Sequence, residues 1–559
     1  MRIGLDVGGT HTDAVLMGSN GIIATAKVVT DHEHLLNSVL SALEKVMRDA
    51  DHLGIEAVTL STTLTTNALL EGKADRVGVL VSAGPGIDPK HFCIGDAYFV
   101  IDGSIDHRGL EQEPLDNDQL DHAVKSCKKA GIRAYAVATK FSTRNPAQEL
   151  LMEASIGGDA DVITAGHRLS GSLNFPRRVT TAYFNSAVSR QFNDFALAIK
   201  NGIAKLGLNT TISVLKADGG TMPLATSCVA PVQSILSGPA ASIMGIAALC
   251  PITSDAVILD IGGTSTDIAI FAKGLPLLEQ EGISLRGNPT FVRSLKTMSI
   301  ALGGDSTLRV HEGRLSVGPD RSGPSLAAGG TCPALIDAFN VTEEAAFGDI
   351  DASRRGIVGL ARFAGTTPAA LSNEAVKIAV RSITQAVGHI IQEINERPVY
   401  TIHDLLHSEC IAPSQVYIVG GPAQAFADRL SSSFGLKTIV PRLHAVANAI
   451  GAAITRTTAD LELFADTERR VLLIPGLSLQ KSIAANYALE DAQRDAENYL
   501  RASLESSTGF PRDAEVQITE ASSFNMIHGS RMVGRNIRVR CQVKPGHIPS
   551  YLAGVRSSC

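Results

Sequence analysis

The chain has 559 residues, which is too long for a single hydrophobic core and predicts two to four domains. Hydrophobic residues make up 44% and charged residues 19%, a balance that is typical of globular proteins and excludes an intrinsically disordered chain. The formal net charge of -6 excludes a general electrostatic attraction to nucleic acid or to anionic membranes.

Targeting and cysteine patterns point to a reducing compartment. No run approaches the roughly 18 apolar residues of a membrane-spanning helix, and Met1 to Leu5 lead straight into a glycine motif without a cleavable signal. The eight cysteines form no C-x-x-C pair, so no local zinc or iron–sulfur motif is present. We therefore expect reduced cysteines and a cytoplasmic protein.

One eight-residue pattern occurs twice. Residues 6–13 read Asp-Val-Gly-Gly-Thr-His-Thr-Asp and residues 260–267 read Asp-Ile-Gly-Gly-Thr-Ser-Thr-Asp, so six of the eight positions are identical. Each copy lies between short apolar runs typical of strands, and its glycine pair is typical of a tight turn. A lone Gly-Gly-Thr is often an ordinary turn. Two matching copies predict a duplicated α/β fold of the actin-like, sugar-kinase-like type, with two lobes around a nucleotide cleft.

The residue types in these hairpins suit a polyphosphate and a magnesium ion. Glycine has no Cβ, so the backbone can approach a phosphate closely with its N–H groups, and threonine hydroxyls add donors. Asp6 and Asp260, at the strand ends, offer the oxygen ligands that Mg²⁺ prefers and are the predicted catalytic and metal-binding residues. The predicted ligands are ATP and Mg²⁺. The predicted nucleotide contacts are Gly8, Gly9, Thr10, Thr12, Gly262, Gly263, Thr264 and Thr266.

Two further segments favour the same fold. Gly420 and Gly421 follow a strand-like run at 416–419 and precede helix-like residues, so their backbone can lie against adenine, although a plain strand-to-helix turn is the alternative. The small residues at 449–453 predict a helix that would allow close packing near the hinge, although ordinary helix packing is the stronger alternative. No G-x-x-x-x-G-K-[ST] or G-x-G-x-x-G motif is present.

The order of motifs resembles the hydantoinase A / 5-oxoprolinase family, which includes related subunits of acetone and acetophenone carboxylases. Residues 61–71 (STTLTTNALLE) are similar to its G-T-T-x-x-T-N-A-L block, and residues 141–146 (FSTRNP) to its F-S-x-x-N-P segment. The pattern at 178–185 and the S-G-P-A turn at 237–240 match as well, and the resemblance covers roughly residues 1–455. Departures are His11, which replaces a usual aromatic residue, and the altered loop at 301–306.

This resemblance implies an ATP-dependent hydrolase subunit that phosphorylates a cyclic amide or a similar small carbonyl compound. It also implies a second subunit resembling hydantoinase B, and we expect an oligomer. An ATP-driven carboxylase subunit and a nucleotide-gated regulatory ATPase remain alternatives. A sugar kinase has less support, because no substrate motif of that class is evident.

Five polar residues are candidate substrate contacts. Thr63 and Thr66 belong to a Ser/Thr run at 61–66 that precedes a predicted helix at 67–71, which Asn67 begins. This hydroxyl-lined N-terminus suits an anionic or carbonyl substrate or, alternatively, only caps the helix. Arg144 and Arg178 can fork to a carboxylate or a phosphate, or form surface or interdomain ion pairs.

Two residues beside the hairpins have open roles. His11 lies within the first repeat, and its position favours a structural contact or a place in the cleft wall over a role as general base. Asp305 suits either a ribose or metal contact or the stabilisation of its own loop.

The predicted layout has three parts. Residues 1–175 form an N-terminal lobe with the first hairpin, residues 176–455 form a lobe with the second hairpin and the adenosine motif, and residues 456–559 form a C-terminal α/β segment of unassigned role. In that segment we predict a helix at 485–503 and strands at 516–518 and 536–543. Residues 530–559 carry basic but no acidic side chains, which indicates a solvated strand or a contact with an acidic partner.

Overall fold

The computed structural model describes residues 1–31, 34–48, 54–70, 72–279, 281–396, 410–505 and 515–558. The described helices are Leu35–Met47, Leu64–Leu70, Asn117–Lys129, Ala147–Ile156, Gly166–Leu169, Phe175–Lys205, Leu224–Val229, Ser237–Leu249, Leu335–Val341, Ile350–Phe363, Pro368–Asn395, Ala423–Phe434, Ala447–Ile454, Leu489–Glu505 and Pro549–Ser558. None of these helices combines the length and apolar character that crossing a bilayer requires.

The two predicted hairpins each open a mixed sheet of the same topology. In the first sheet Arg2–Val7 pairs antiparallel with His11–Gly18, and Gly21–Val29 follows; Ala57–Thr62 and Thr211–Leu215 add parallel strands on the other side. In the second sheet, Ala256–Ile261, Thr266–Ala272, Leu275–Pro276, Gln415–Val419 and Lys437–Ile439 repeat this arrangement. Within each sheet these strands lie in the spatial order 3-2-1-4-5. The duplicated fold is therefore confirmed.

Two helices pack at very short range between these sheets. A Cβ on Gly245, in Ser237–Leu249, would lie 2.1 Å from the carbonyl oxygen of Ala447, at the start of Ala447–Ile454. A Cβ on Gly4 would lie 2.0 Å from the carbonyl oxygen of Ala449, so the same helix also touches the first sheet. The predicted close-packed helix is confirmed. Small residues are needed because the backbones themselves are in contact.

The first half contains a second sheet. Val162–Ala165, Ala134–Thr139, Val77–Ser82 and Ala97–Val100 pair in parallel in that order. The long helix Phe175–Lys205 then leads back to Thr211–Leu215 in the first sheet. Strands after residue 176 thus lie beside Ala57–Thr62, and a division of the chain into domains at 175 and 455 stays a prediction.

The C-terminal segment is an antiparallel sheet with a helix on one face. Its described strands lie in the order Leu479–Ser482, Val471–Ile474, Asp460–Asp466, Arg531–Val543 and Val516–His528. Alternate residues Ile537, Val539 and Cys541 are buried in the core that also holds the helix Leu489–Glu505. The predicted helix and both strands are confirmed, and the strands are longer than predicted because they pair with each other as one long hairpin.

The remaining described strands are short and lie around this framework. They are Ser104–Ile105, Glu111–Glu113, Thr221–Pro223, Leu278–Glu279, Ser284–Leu285, Asn288–Pro289, Ser294–Leu295, Thr297–Ile300, Leu308–His311 and Arg314–Val317.

Candidate functional site

The turns of the two hairpins have the same internal bond and face each other. The Gly8 N–H donates to the His11 carbonyl at 3.0 Å, and the Gly262 N–H donates to the Ser265 carbonyl at 2.9 Å. A Cβ placed on Gly263 would lie 3.2 Å from Cγ2 of Thr10 in the opposite turn. The structure therefore brings the two Gly-Gly-Thr turns together, as the repeat predicts.

Asp6 and Asp260 hold equivalent positions, and one side chain links them. Each lies opposite the last aspartate of its own repeat, Asp13 or Asp267. Nδ2 of Asn448 lies 3.2 Å from Oδ2 of Asp6 and 3.2 Å from Oδ2 of Asp260. The sequence did not identify Asn448. The available signal was a single amide in the otherwise apolar helix Ala447–Ile454, whose sequence is ANAIGAAI.

Burial disfavours the charged forms of Asp6 and Asp260. Burial, together with the neighbouring Asp13 and Asp260 carboxylates, raises the pKa of Asp6 to about 7, while the nearby Ser61 hydroxyl and the Asn448 amide oppose this rise. Burial also raises the pKa of Asp260, against hydrogen bonds from Ser242 and Asn448. A cation bound beside both carboxyl groups would stabilise their charged forms.

The donor set fits Mg²⁺. Oδ1 of Asp6 is buried and accepts no hydrogen bond within the described ranges, so it has a free lone pair. Lys27 is paired with Asp13 at 2.8 Å, and its ammonium is not bonded to Asp6 or Asp260. No cluster of three or more metal-ligating side chains occurs among the described residues. Proteins usually hold Mg²⁺ with one or two carboxylates, substrate phosphates and water. Asp6 and Asp260, beside two Gly-Gly-Thr turns that suit phosphates, match this pattern.

The third glycine pair lies against the second hairpin. Gly420 has a φ of +96°, and a Cβ there would lie 2.1 Å from the Ile261 carbonyl oxygen and 2.7 Å from Oδ1 of Asp260. Close packing thus accounts for Gly420, whereas a Cβ on Gly421 would meet no atom within 4 Å. Contact of this pair with adenosine stays a prediction.

Asp305 belongs to a loop that supports the second turn. Its N–H donates to the Gly263 carbonyl at 2.7 Å, and its carboxylate accepts from the Ser325 N–H at 3.2 Å and from Arg321 Nη2 at 3.3 Å. A Cβ on Gly263 would lie 2.7 Å from Oδ2 of Asp305, so this carboxylate also lies at the turn.

Thr12 and Thr266 are behind the turns and do not face the cleft. Both side chains are fully buried. The Thr12 hydroxyl bonds to that of Thr30 at 3.0 Å, and Thr266 donates to the Leu302 carbonyl at 2.7 Å. These two threonines stabilise the turns, which corrects the prediction that they contact the nucleotide directly.

The 61–67 segment lies beside the first hairpin. The Thr63 hydroxyl donates to the Val7 carbonyl at 3.3 Å, and Asn67 Nδ2 donates to Thr63 at 3.4 Å. The Thr66 hydroxyl accepts from the Leu236 N–H at 3.1 Å, next to the S-G-P-A helix start. These side chains support the local structure, and their contact with a substrate stays a prediction.

Arg144 and Arg178 lie elsewhere. Arg178 is fully buried and donates to the carbonyls of Ser172, Thr139 and Lys140 at 2.6, 2.8 and 2.6 Å. The Arg144 guanidinium stacks on the ring of Phe464 in the C-terminal sheet, 3.0 Å from its centroid.

Burial lowers the pKa of both guanidinium groups, to about 9 for Arg144 and about 10 for Arg178. Neither side chain has a described contact with a hairpin. Both side chains pack inside the protein in this structure, and their contact with a substrate stays a prediction.

Comparison with known proteins identifies the family. The hydantoinase/oxoprolinase profile matches residues 178–461, and the profile of the hydantoinase/oxoprolinase N-terminal region matches residues 2–157. The chain belongs to the hydantoinase/oxoprolinase family. Similar proteins include caprolactamase subunit alpha of Pseudomonas jessenii, 26% identical over 60% of this chain and 53% of that protein.

Acetophenone carboxylase gamma subunit of Aromatoleum aromaticum is 25% identical over 60% of this chain and 52% of that protein. The 5-oxoprolinase of Saccharomyces cerevisiae is 22% identical over 57% of this chain and 29% of that protein. The chain thus spans about half the length, or less, of the curated relatives it matches.

Two solved structures show the same fold over nearly the whole chain. Nucleotide-free acetone carboxylase superposes with a TM-score of 0.74 at 14% identity, covering 98% of this chain and 89% of that one. ATP-dependent caprolactamase from Pseudomonas jessenii gives 0.68 at 18% identity, with 97% and 87% covered. The C-terminal segment, which lies beyond the family motifs found at residues 1–455, is therefore part of the shared fold.

Proposed function

We propose that this chain is the ATP-binding subunit of an ATP-dependent hydrolase that acts on a cyclic amide or a similar carbonyl compound. The observation that carries the proposal is the pair Asp6 and Asp260, supplied by the two facing hairpins and bonded to one amide nitrogen. Relatives named as a caprolactamase and 5-oxoprolinases, whose ring substrates are cyclic amides, favour this reaction class.

The hairpins would hold Mg·ATP. Backbone N–H groups of Gly9 and Thr10 on one side, and of Gly263 and Thr264 on the other, are available for phosphate oxygens, because their turns use only the Gly8 and Gly262 N–H groups internally. Asp6 and Asp260 would hold the Mg²⁺ ion. Gly421, which faces open space, would let adenosine approach the backbone.

The chemistry of the substrate explains the need for ATP. An amide carbonyl is a poor electrophile, and bound Mg·ATP supplies a phosphoryl group that converts its oxygen into part of a leaving group. The residues of this chain would position the phosphates and balance their charge, which is the main protein contribution to phosphoryl transfer. Thr63 and Asn67, beside the first hairpin, are the proposed substrate-side contacts.

A partner subunit resembling hydantoinase B would complete the reaction. Two relatives are named as subunits, alpha of a caprolactamase and gamma of an acetophenone carboxylase. The described residues hold no cluster of three metal-ligating side chains that would suggest a separate metallohydrolase site.

Substrate-stimulated ATP hydrolysis tests the proposal. The full chain, alone and with a co-expressed hydantoinase B-like subunit, would be assayed with 5-oxoproline, caprolactam and hydantoin, and with acetone or acetophenone plus bicarbonate. We expect cyclic amides to stimulate ADP release when the partner is present. Stimulation by a ketone and bicarbonate alone would instead establish the carboxylase alternative, which the acetophenone carboxylase relative favours.

A further inference from the structure

Asn448 occupies the junction of the two halves. It lies in the first turn of Ala447–Ile454, the helix whose backbone touches the first sheet at Gly4 and the helix Ser237–Leu249 at Gly245. A side chain at this position reaches both hairpins, because the helix is held against both halves at backbone contact distance.

The Asn448 amide matches the carboxylate pair. A side-chain amide nitrogen carries two hydrogens, so Nδ2 can donate one to Asp6 and one to Asp260, each at 3.2 Å. Of the two carboxylates, Ser242 donates to that of Asp260 and has no described bond to that of Asp6. Within the described ranges, Asn448 is the one side chain with hydrogen bonds to both carboxylates.

The neutrality of this donor is its useful property. A lysine or arginine here would cancel the negative charge and compete with a bound cation. An amide holds two mutually repelling carboxylates together without adding charge, so the pair keeps its attraction for a divalent ion.

We propose that Asn448 is a positioning residue that bridges Asp6 and Asp260, and with them the two halves, when no cation is bound, and that a divalent cation takes over this bridge. This inference rests on the proposed Mg²⁺ role of the two aspartates. Asn448 thereby keeps the empty cleft close to its metal-binding arrangement.

The test is whether Mg²⁺ repairs the loss of Asn448. Thermal unfolding of the full-length protein would be followed in chelator, and with Mg²⁺ plus a non-hydrolysable ATP analogue, for wild type, Asn448→Ala, Asn448→Ser and Asn448→Asp. In chelator we expect the loss of Tm to be smallest for Asn448→Ser, larger for Asn448→Ala and largest for Asn448→Asp, because the aspartate adds a third carboxylate. When Mg²⁺ and the analogue are added, the Tm of each Asn448 variant should rise by more than the Tm of wild type does, and the rise should be largest for Asn448→Asp.

Ser242→Ala is the matched control. It removes a hydrogen bond from Asp260 but leaves the bridge between the halves, so its gain in Tm with Mg²⁺ should equal that of wild type. Small-angle scattering adds a second readout. In chelator, Asn448→Ala should have a larger radius of gyration than Ser242→Ala, and Mg²⁺ with analogue should abolish the difference.

A Tm loss of equal size with and without Mg²⁺ in the Ala and Asp variants would show a merely structural asparagine and overturn the proposal. Electron paramagnetic resonance of Mn²⁺ with the ATP analogue separates the two levels of inference. If wild type binds no Mn²⁺, the proposed metal role fails and the Asn448 bridge fails with it. If wild type binds Mn²⁺ but the variants gain no extra stability from Mg²⁺, only the Asn448 bridge fails. Should Asn448→Ala not fold, Asn448→Ser gives the same comparison with a smaller perturbation.

Discussion

Replacement of Arg178 by alanine distinguishes a packing role from a substrate role. The guanidinium is fully buried and donates to three carbonyls, those of Ser172, Thr139 and Lys140, at 2.6 to 2.8 Å. Its charge also balances the buried Glu149 nearby. Removing one member of such a buried, charged network costs about 3–5 kcal/mol, because the remaining groups stay buried without their partner.

Urea denaturation, followed by circular dichroism, measures this cost. We expect Arg178→Ala to lower the free energy of unfolding by that amount while the affinity for a Mg·ATP analogue, measured under native conditions, changes little. Arg168→Ala is the control, since Arg168 pairs with Glu153 at the surface and is 42% exposed. A surface ion pair contributes about 1 kcal/mol or less.

One result would refute this reasoning. If Arg178→Ala unfolds at the wild-type urea concentration but raises KM for the substrate, the arginine faces the substrate, and the prediction from the sequence that Arg178 binds substrate is right.

Three further predictions use other groups. Because the pKa of Asp6 is raised to about 7 in the folded protein, the free energy of unfolding should fall as pH rises from about 4 to about 7. In chelator, wild type should lose up to ~4 kcal/mol across this window relative to Asp6→Asn, and parallel pH profiles of the two proteins would contradict this prediction. Burial lowers the pKa of His547 to about 4, so its effect on stability has the opposite pH dependence to that of Asp6. The free energy of unfolding should fall by up to ~3 kcal/mol as pH drops from about 6.5 towards 4, and acid denaturation of His547→Gln should show a smaller fall. Gly263→Ala would put a Cβ 2.7 Å from Oδ2 of Asp305, so calorimetry should show at least ~10-fold weaker Mg·ATP-analogue binding, about 1.4 kcal/mol, whereas Gly359→Ala, with no atom within 4 Å, should bind normally.

The sequence predicts the parts of the site that are written locally. Each glycine turn and the two aspartates that flank it lie within eight residues, and short apolar runs on both sides indicate the strands, so each hairpin follows from one local pattern. Because the pattern recurs, the pairing of the two turns across a cleft could be predicted as well. The same reasoning missed that Thr12 and Thr266 are buried, since alternation along a strand sends one hydroxyl of each pattern into the core.

Contacts between distant segments were beyond that reasoning. Asn448 bonds to Asp6 across 442 positions of the chain, and no local pattern relates them. Arg144 belongs to a motif that resembles the family, yet a motif does not say what its side chain touches. Its partner, Phe464, comes from the C-terminal sheet, which lies outside the family motifs at residues 1–455.

A double-mutant cycle on nucleotide binding tests most directly whether the two halves form one site. Isothermal titration calorimetry would measure a Mg·ATP analogue binding to wild type, Asp6→Asn, Asp260→Asn and the double variant. If one cation is held by both carboxylates, each single change should weaken binding at least ~10-fold, about 1.4 kcal/mol. The double variant should then bind much as either single variant does, because neighbouring groups that act together are not additive. Wild-type affinity in both single variants, or losses that simply add, would contradict a single two-hairpin site.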